Sequence, residues 1–533
     1  MKASKLTRRA LLGAGIGLGQ LALIERLCGN KARAGTPDAP SRILTIYLAG
    51  GYVPQYMWCP LSADQVAAHI PSPYKASEQV FFSPDQVIEL STAGDGKYPR
   101  IRGVRTWNPD SPGDRGANRD YLPLGYSWVG HDLMKQTTVV HGIDQGTAAH
   151  ASGAIASMCG VAGADYRAPA IQSVIANHLI GVYGDDRPLP CVVLNTGLMP
   201  NPFDLPSAAG PTIVGSTKDL VPALSTDPTQ NAWWTGLDGR QPKDELAFDG
   251  TALGSPLSAT DLEAHTFASM RARRGIAGTT TDGYLERLHD GLQNVSRVLA
   301  KDVVTTLTNA AGFEHMTPET DREYDGVVSY PGQGPFGYVV GYADGNVGNS
   351  TFWDTFDMAM RVMKSDLSSS LHLTLPMFYY DTHKGIEGHQ SNFIAVRGAF
   401  EILGQMLHEM QMSPAPGKPG KTLLDDTLVL IFSEFARTWP KSGDDHWPIT
   451  SVTFVGGNVA ENREIGGYDL ENFSFGPRGM PVDLIEESGE ANTRAPRAAD
   501  VIATACRVMG LEAGTDFFIP GGYAEIAGVR RDA

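Results

Sequence analysis

Residues 427–438 read TLVLIFSEFART. The six residues from Thr427 to Phe432 carry no charge and are mostly branched or aromatic, the composition of a strand buried on both faces. Ser433 and Glu434 follow at once, with Arg437 three residues later. Strands of this kind belong to parallel sheets covered by helices, and such sheets place their chemistry beyond the carboxyl ends of the strands. Glu434 and Arg437 then read either as a salt bridge with each other or as a site carboxylate and a planar fork for an anion.

The same pattern recurs along the chain. Short apolar runs at 43–49, 137–143, 191–195, 371–380 and 451–455 read as further buried parallel strands. Pro376 inside one of them marks an edge position, a bulge, or a strand that starts after it. Helical patterns lie between the runs. In the clearest, Phe393, Val396, Phe400, Leu403, Leu407 and Met410 repeat at three-and-four spacing, before a Pro/Gly-rich break at 414–420. Residues 280–307 carry a helical pattern too, and 498–509 read as a late helix with Gly510 as its C-cap. Alternating strands and helices predict an α/β layered fold with right-handed crossovers. Two stretches break the rhythm. Residues 200–260, with Trp233 and Trp234, and residues 312–350 are rich in Gly and Asp and read as loop-dominated insertions, either binding loops or surface decoration.

The first 34 residues read as an address. Thr7-Arg8-Arg9-Ala10-Leu11-Leu12 opens an apolar stretch to Ile24, and Ala32-Arg33-Ala34 offers a small-x-small cleavage site. This predicts a twin-arginine signal peptide, export by the twin-arginine machinery, and a mature protein in the periplasm or outside the cell, with 35–533 as one domain. No segment is long and apolar enough for a stable membrane span. Without the signal the chain keeps 36 basic and 58 acidic side chains, a formal charge of −22. So acidic a surface argues against nucleic acid as a partner. Cys59, Cys159, Cys191 and Cys506 lack zinc-finger spacing and read as buried thiols, with one late disulfide left open.

Three further segments bring polar chemistry to the ends of the runs. After 43–49 come Gly50 and Gly51, a plain turn or a close approach to a ligand. After 137–143 come His150 and Ser152. Ser152 reads as a helix N-cap, or as a nucleophile activated by His150 or a metal. After 371–380 come Asp381, His383 and His389, which read as metal ligands or acid–base groups, or as surface residues. Asp381 and His383 face the same side if extended, and His389 reads as a loop residue before the helix. Asp445 and His446 follow the Glu434 segment.

These motifs, in this order, resemble the bacterial family called domain of unknown function 1501, placed with the alkaline phosphatase and sulfatase superfamily. The stretches that carry the likeness are Leu48-Ala49-Gly50-Gly51, His150-Ala151-Ser152, Asp381-Thr382-His383 with His389, Ser433-Glu434-Phe435-Ala436-Arg437-Thr438, and Asp445-His446-Trp447-Pro448. The resemblance implies a three-layer α/β sandwich with a central, mostly parallel sheet, alkaline phosphatase-like. It implies a divalent metal, zinc first with calcium, manganese or iron as alternatives, as one or two ions. Asp381, His383, His389, Glu434, Asp445 and His446 would be its ligands, with Ser152 the nucleophile, His150 its partner and Arg437 an anion holder. The chain departs from the superfamily at Ala49-Gly50-Gly51, where an acidic metal ligand usually ends the first strand.

The expected function is a metal-dependent hydrolase of phosphate or sulfate esters, small or polymeric. The alternative is a non-catalytic periplasmic binding or assembly protein that keeps the fold. A weaker third reading, a carbohydrate- or polymer-modifying envelope protein, rests on Trp233 and Trp234.

Overall fold

The computed structural model describes residues 39–62, 87–91, 96–104, 131–161, 169–183, 187–194, 212–214, 303–313, 350–375, 380–383, 386–438, 445–470, 478–512 and 521–531, with a few others singly. The signal peptide, Trp233 and Trp234, and the two insertions apart from 212–214, 312–313 and Ser350, lie outside them.

An eight-stranded sheet forms the centre. Its strands, in chain order, are β1 (Arg42–Leu48), β2 (Thr137–Asp144), β3 (Cys191–Leu194), β4 (Thr212–Val214), β5 (Ser370–Leu375), β6 (Thr427–Phe432), β7 (Ile449–Gly456) and β8 (Arg463–Ile465). Across the sheet the order is β8-β2-β7-β6-β1-β5-β3-β4. The sheet is mostly parallel, with β1 paired in parallel to both β5 and β6. β7 is the exception and runs antiparallel to β2 and β6. Its apolar run is indistinguishable from that of a parallel strand, because burial on both faces sets composition whatever the direction. β4 lies in a stretch expected to be a loop-dominated insertion.

Side chains of β1 alternate between two cores, as a period of two requires. Leu44, Ile46 and Leu48 join one core with Phe356, Val396, Phe400 and Leu403. Ile43 and Tyr47 join the other with Ile155, Ile175 and Ile502. Helices therefore cover both faces. Against the first lie α3 (Val303–Asn309), α4 (Ser350–Lys364) and α5 (Ile386–Met412); against the second lie α1 (His150–Cys159), α2 (Ile171–Tyr183) and α6 (Ala498–Val508). Among the described residues, Cys59, Cys159, Cys191 and Cys506 are buried free thiols. The C-cap of α6 is Met509 rather than Gly510, which takes the left-handed conformation just beyond it.

Two boundaries differ from expectation. β5 ends at Leu375, directly before Pro376, and is interior rather than edge. α5 begins at Ile386, so His389 is a helical residue, not a loop residue ahead of the helix.

Candidate metal centre

Five segments converge at the carboxyl ends of β1, β5 and β6 and the start of α1. The chain leaves β1 through Gly50 and Gly51, both at positive φ. A side chain at Gly51 would also collide with the Phe435 ring, so glycine is required there twice over. The turn is locked by the residues after β6. The Gly50 N–H donates to Glu434 Oε1 at 2.7 Å, while Arg437 donates through Nη2 to the Gly50 carbonyl at 2.6 Å and through Nε to the Gly51 carbonyl at 3.1 Å. Asn392, fully buried on α5, ties the turn to the end of the β5 segment. It accepts from the Val53 N–H at 3.0 Å and donates to the Tyr380 carbonyl at 2.9 Å.

Glu434 and Arg437 do not pair with each other. Glu434 is fully buried, and His150 Nδ1 lies 2.8 Å from its Oε1 while Ser433 donates to its Oε2 at 2.8 Å. Glu434 therefore stands behind His150. Arg437 donates to Asp381 Oδ1 instead. Burial opposes charge on Asp381, but the hydrogen bond and charge of Arg437 outweigh it and hold the carboxyl below its usual range. Burial, and then the Glu434 charge, push the Tyr47 phenol far up and keep it neutral.

His446 arrives on a short hairpin, Ala436–Arg437 paired antiparallel with His446–Trp447. Its Nδ1 lies 2.9 Å from the Ala148 carbonyl and its Nε2 lies 3.4 Å from Asp381 Oδ1. The ring stacks on Phe435 at 4.3 Å between centroids, and His150 leans on the same phenylalanine at 4.9 Å. Burial, then Arg437, lowers the His446 pKa; the Glu434 hydrogen bond raises that of His150 against its burial. His150 Nε2 lies 3.4 Å from Asp381 Oδ2.

His150, Asp381 and His446 thus form a group able to hold a metal ion, their ligand atoms all within 4.8 Å of one another. His383, Asp445 and His446 form a second, more exposed group. The donor set fits an ion. A tetrahedral zinc with bonds of about 2.0 Å keeps its ligand atoms about 3.3 Å apart, and each inner imidazole has its other nitrogen held by a carboxylate or a carbonyl, as metal-bound histidines do.

The remaining expected residues fall as follows. His383 Nε2 lies 3.0 Å from Asp381 Oδ1 and 3.3 Å from Arg437 Nη1. Asp445 is exposed, and its Oδ1 accepts the His446 N–H at 2.8 Å. The His389 side chain lies outside the described residues. Ser152 is not a cap: Ala149 holds that position, and Ser152 is the third residue of α1. Residues two apart on a helix leave on different faces, so Ser152 and His150 do not form a pair. Gly153, one turn after His150, lets α1 rest on the Glu434 backbone. Asn392, Phe435 and the Ala148 carbonyl escaped the sequence reading, because nothing local marks a core amide, a core ring or a backbone carbonyl.

Compared with known proteins, the chain matches no family model and no curated protein. Among the described residues no helix is long and apolar enough to cross a membrane.

Proposed function

We propose that this protein is a metal-dependent hydrolase of phosphate or sulfate esters, alkaline phosphatase-like in fold, acting outside the cytoplasm after twin-arginine export. One observation carries the metal. The Ala148 carbonyl only accepts hydrogen bonds, and Glu434 Oε1 is an acceptor that already takes the Gly50 N–H, so in the neutral rings the protons of His446 and His150 belong on Nδ1. With both imidazoles neutral, the form that binds a metal, the two Nε2 lone pairs face Asp381 oxygens at 3.4 Å, acceptor against acceptor. A cation between them turns that repulsion into coordination. His150, Asp381 and His446 would be its ligands, and three protein ligands leave a position open, as catalytic sites do.

Bound there, a divalent ion supplies Lewis-acid stabilisation of negative charge developing on an ester. Glu434 and Ala148 fix the tautomers of the two imidazoles, Phe435 sets their planes, and Arg437 holds Asp381 in its ionised form. With the exposed Asp445 set aside, two carboxylates, one guanidinium and one divalent ion leave a single surplus positive charge. That surplus favours an anionic group such as a phosphate or sulfate ester. A nucleophilic Ser152 would have to act without His150, given its face of α1.

The second reading is a non-catalytic binding protein. It is favoured by the absence of a carboxylate at Ala49-Gly50-Gly51 and by Arg437, whose donors serve the protein itself rather than an anion. Elemental mass spectrometry of the mature protein, with His446→Ala beside it, tests the leading reading. It expects stoichiometric metal and ester turnover in the wild type and the loss of both in the variant. Unchanged metal content and turnover in His446→Ala would sink it.

A further inference from the structure

Arg437 surrounds itself with the donors a cation takes. Its fully buried guanidinium contacts the Gly50 carbonyl at 2.6 Å, the Gly51 carbonyl at 3.1 Å, the Asp381 carboxylate, and His383 Nε2 at 3.3 Å. Carbonyl oxygens, a carboxylate and an imidazole are also a ligand set for a divalent ion. The guanidinium does not lose its proton in proteins, so the positive charge at this place is permanent.

The neighbouring donors divide accordingly. Asp381 gives Oδ1 to Arg437 and presents Oδ2 to His150. The outer group of His383 and Asp445 depends on the same His446, whose Nδ1 is held by Ala148 and which therefore has one nitrogen to offer. A second divalent ion would have to share that nitrogen and sit against a fixed positive charge.

We propose that the centre takes a single divalent ion, at His150, Asp381 and His446, with the guanidinium of Arg437 standing in the place of a second cation. The inference rests on the metal reading above and adds its stoichiometry and the role of Arg437. Arg437 is then a positioning residue and an internal counter-charge rather than an anion holder.

The test counts Mn²⁺ bound per folded chain, by equilibrium dialysis followed by elemental mass spectrometry. The proposal expects one ion in the wild type, one in Arg437→Lys, which keeps the charge, and two in Arg437→Ser, which opens the cradle of Gly50, Gly51, Asp381 and His383. Two ions in the wild type or in Arg437→Lys overturn it, as does one ion in a folded Arg437→Ser. No ion in the wild type overturns the metal reading itself and this inference with it. Should Arg437→Ser fail to fold, Arg437→Gln decides. Gln retains a donor for the carbonyls without charge, and the one ion should bind at least about tenfold more tightly once the repulsion is gone. Unchanged or weaker binding in that variant refutes the role assigned to Arg437.

Discussion

Gly153→Ala perturbs the candidate centre without touching a ligand. In an isolated helix the change would stabilise by about 0.5–1 kcal/mol, since alanine is the better helix former. Here the new Cβ would lie 2.8 Å from the Glu434 carbonyl oxygen and 2.9 Å from the Glu434 Cβ, inside ordinary contact distance. Both are groups that cannot swing aside, so α1 has to move back by about half an ångström, at the usual overpacking cost of about 1–3 kcal/mol. His150 sits one turn earlier on the same face and moves with the helix, away from Glu434 Oε1, which is now 2.8 Å from its Nδ1. Displacements of about 0.5 Å are enough to spoil a ligand set, and loss of the partner behind a metal-bound histidine weakens binding about 10- to 100-fold. Zinc affinity, read by competition with a chromophoric chelator, should fall by that factor, about 1.4–2.7 kcal/mol. Thermal stability should fall only modestly, because the helix gain offsets part of the strain. Wild-type affinity in a folded Gly153→Ala would refute either the tight approach of α1 or the place of His150 among the ligands.

Glu434→Gln should fold, because an amide keeps an acceptor for Gly50 and His150 while Ser433 retains the Leu48 carbonyl, 2.7 Å from its Oγ, as acceptor for its hydroxyl. Its metal affinity should nonetheless drop about tenfold or more as His150 loses an anionic partner, and an unchanged binding isotherm would show that Glu434 does not tune that histidine. Acid should destabilise the fold through His141 and His372, both fully buried with pKa values pushed down to about 3 by that burial. Unfolded, these residues titrate near 6.5, so the unfolded chain binds more protons between the two values and stability present above about pH 6.5 is lost as the pH falls. At pH 5 the loss is about 2 kcal/mol per histidine, visible as a lower urea midpoint than at pH 7. Equal midpoints at the two values would show that these imidazoles are not buried neutral.

Much of the sheet was legible because burial leaves a local mark. The run Thr427–Phe432 forms β6 with the bounds it suggested, and the period of Phe393 to Met410 falls inside α5. Strand direction leaves no such mark, which is why β7 was expected to be parallel. A helix after β2 was legible too, but its start was not: Ser152 has a capping side chain and was read as the cap, while the helix begins at His150 with Ala149 in the capping position.

By itself the sequence determined six of the eight strands of the central sheet and that acidic and imidazole groups follow three of them, since both depend on residues close together in the chain. Only the tertiary structure decided who faces whom. Glu434 meets His150 across 284 residues and Gly50 across 384, and Arg437 turns from the nearby Glu434 to Asp381, 56 residues earlier. These pairings follow from the order of β1, β5 and β6 in the sheet and from the close approach of α1 at Gly153. Strand order and helix docking are set by packing over the whole core, so no local stretch of the chain encodes them.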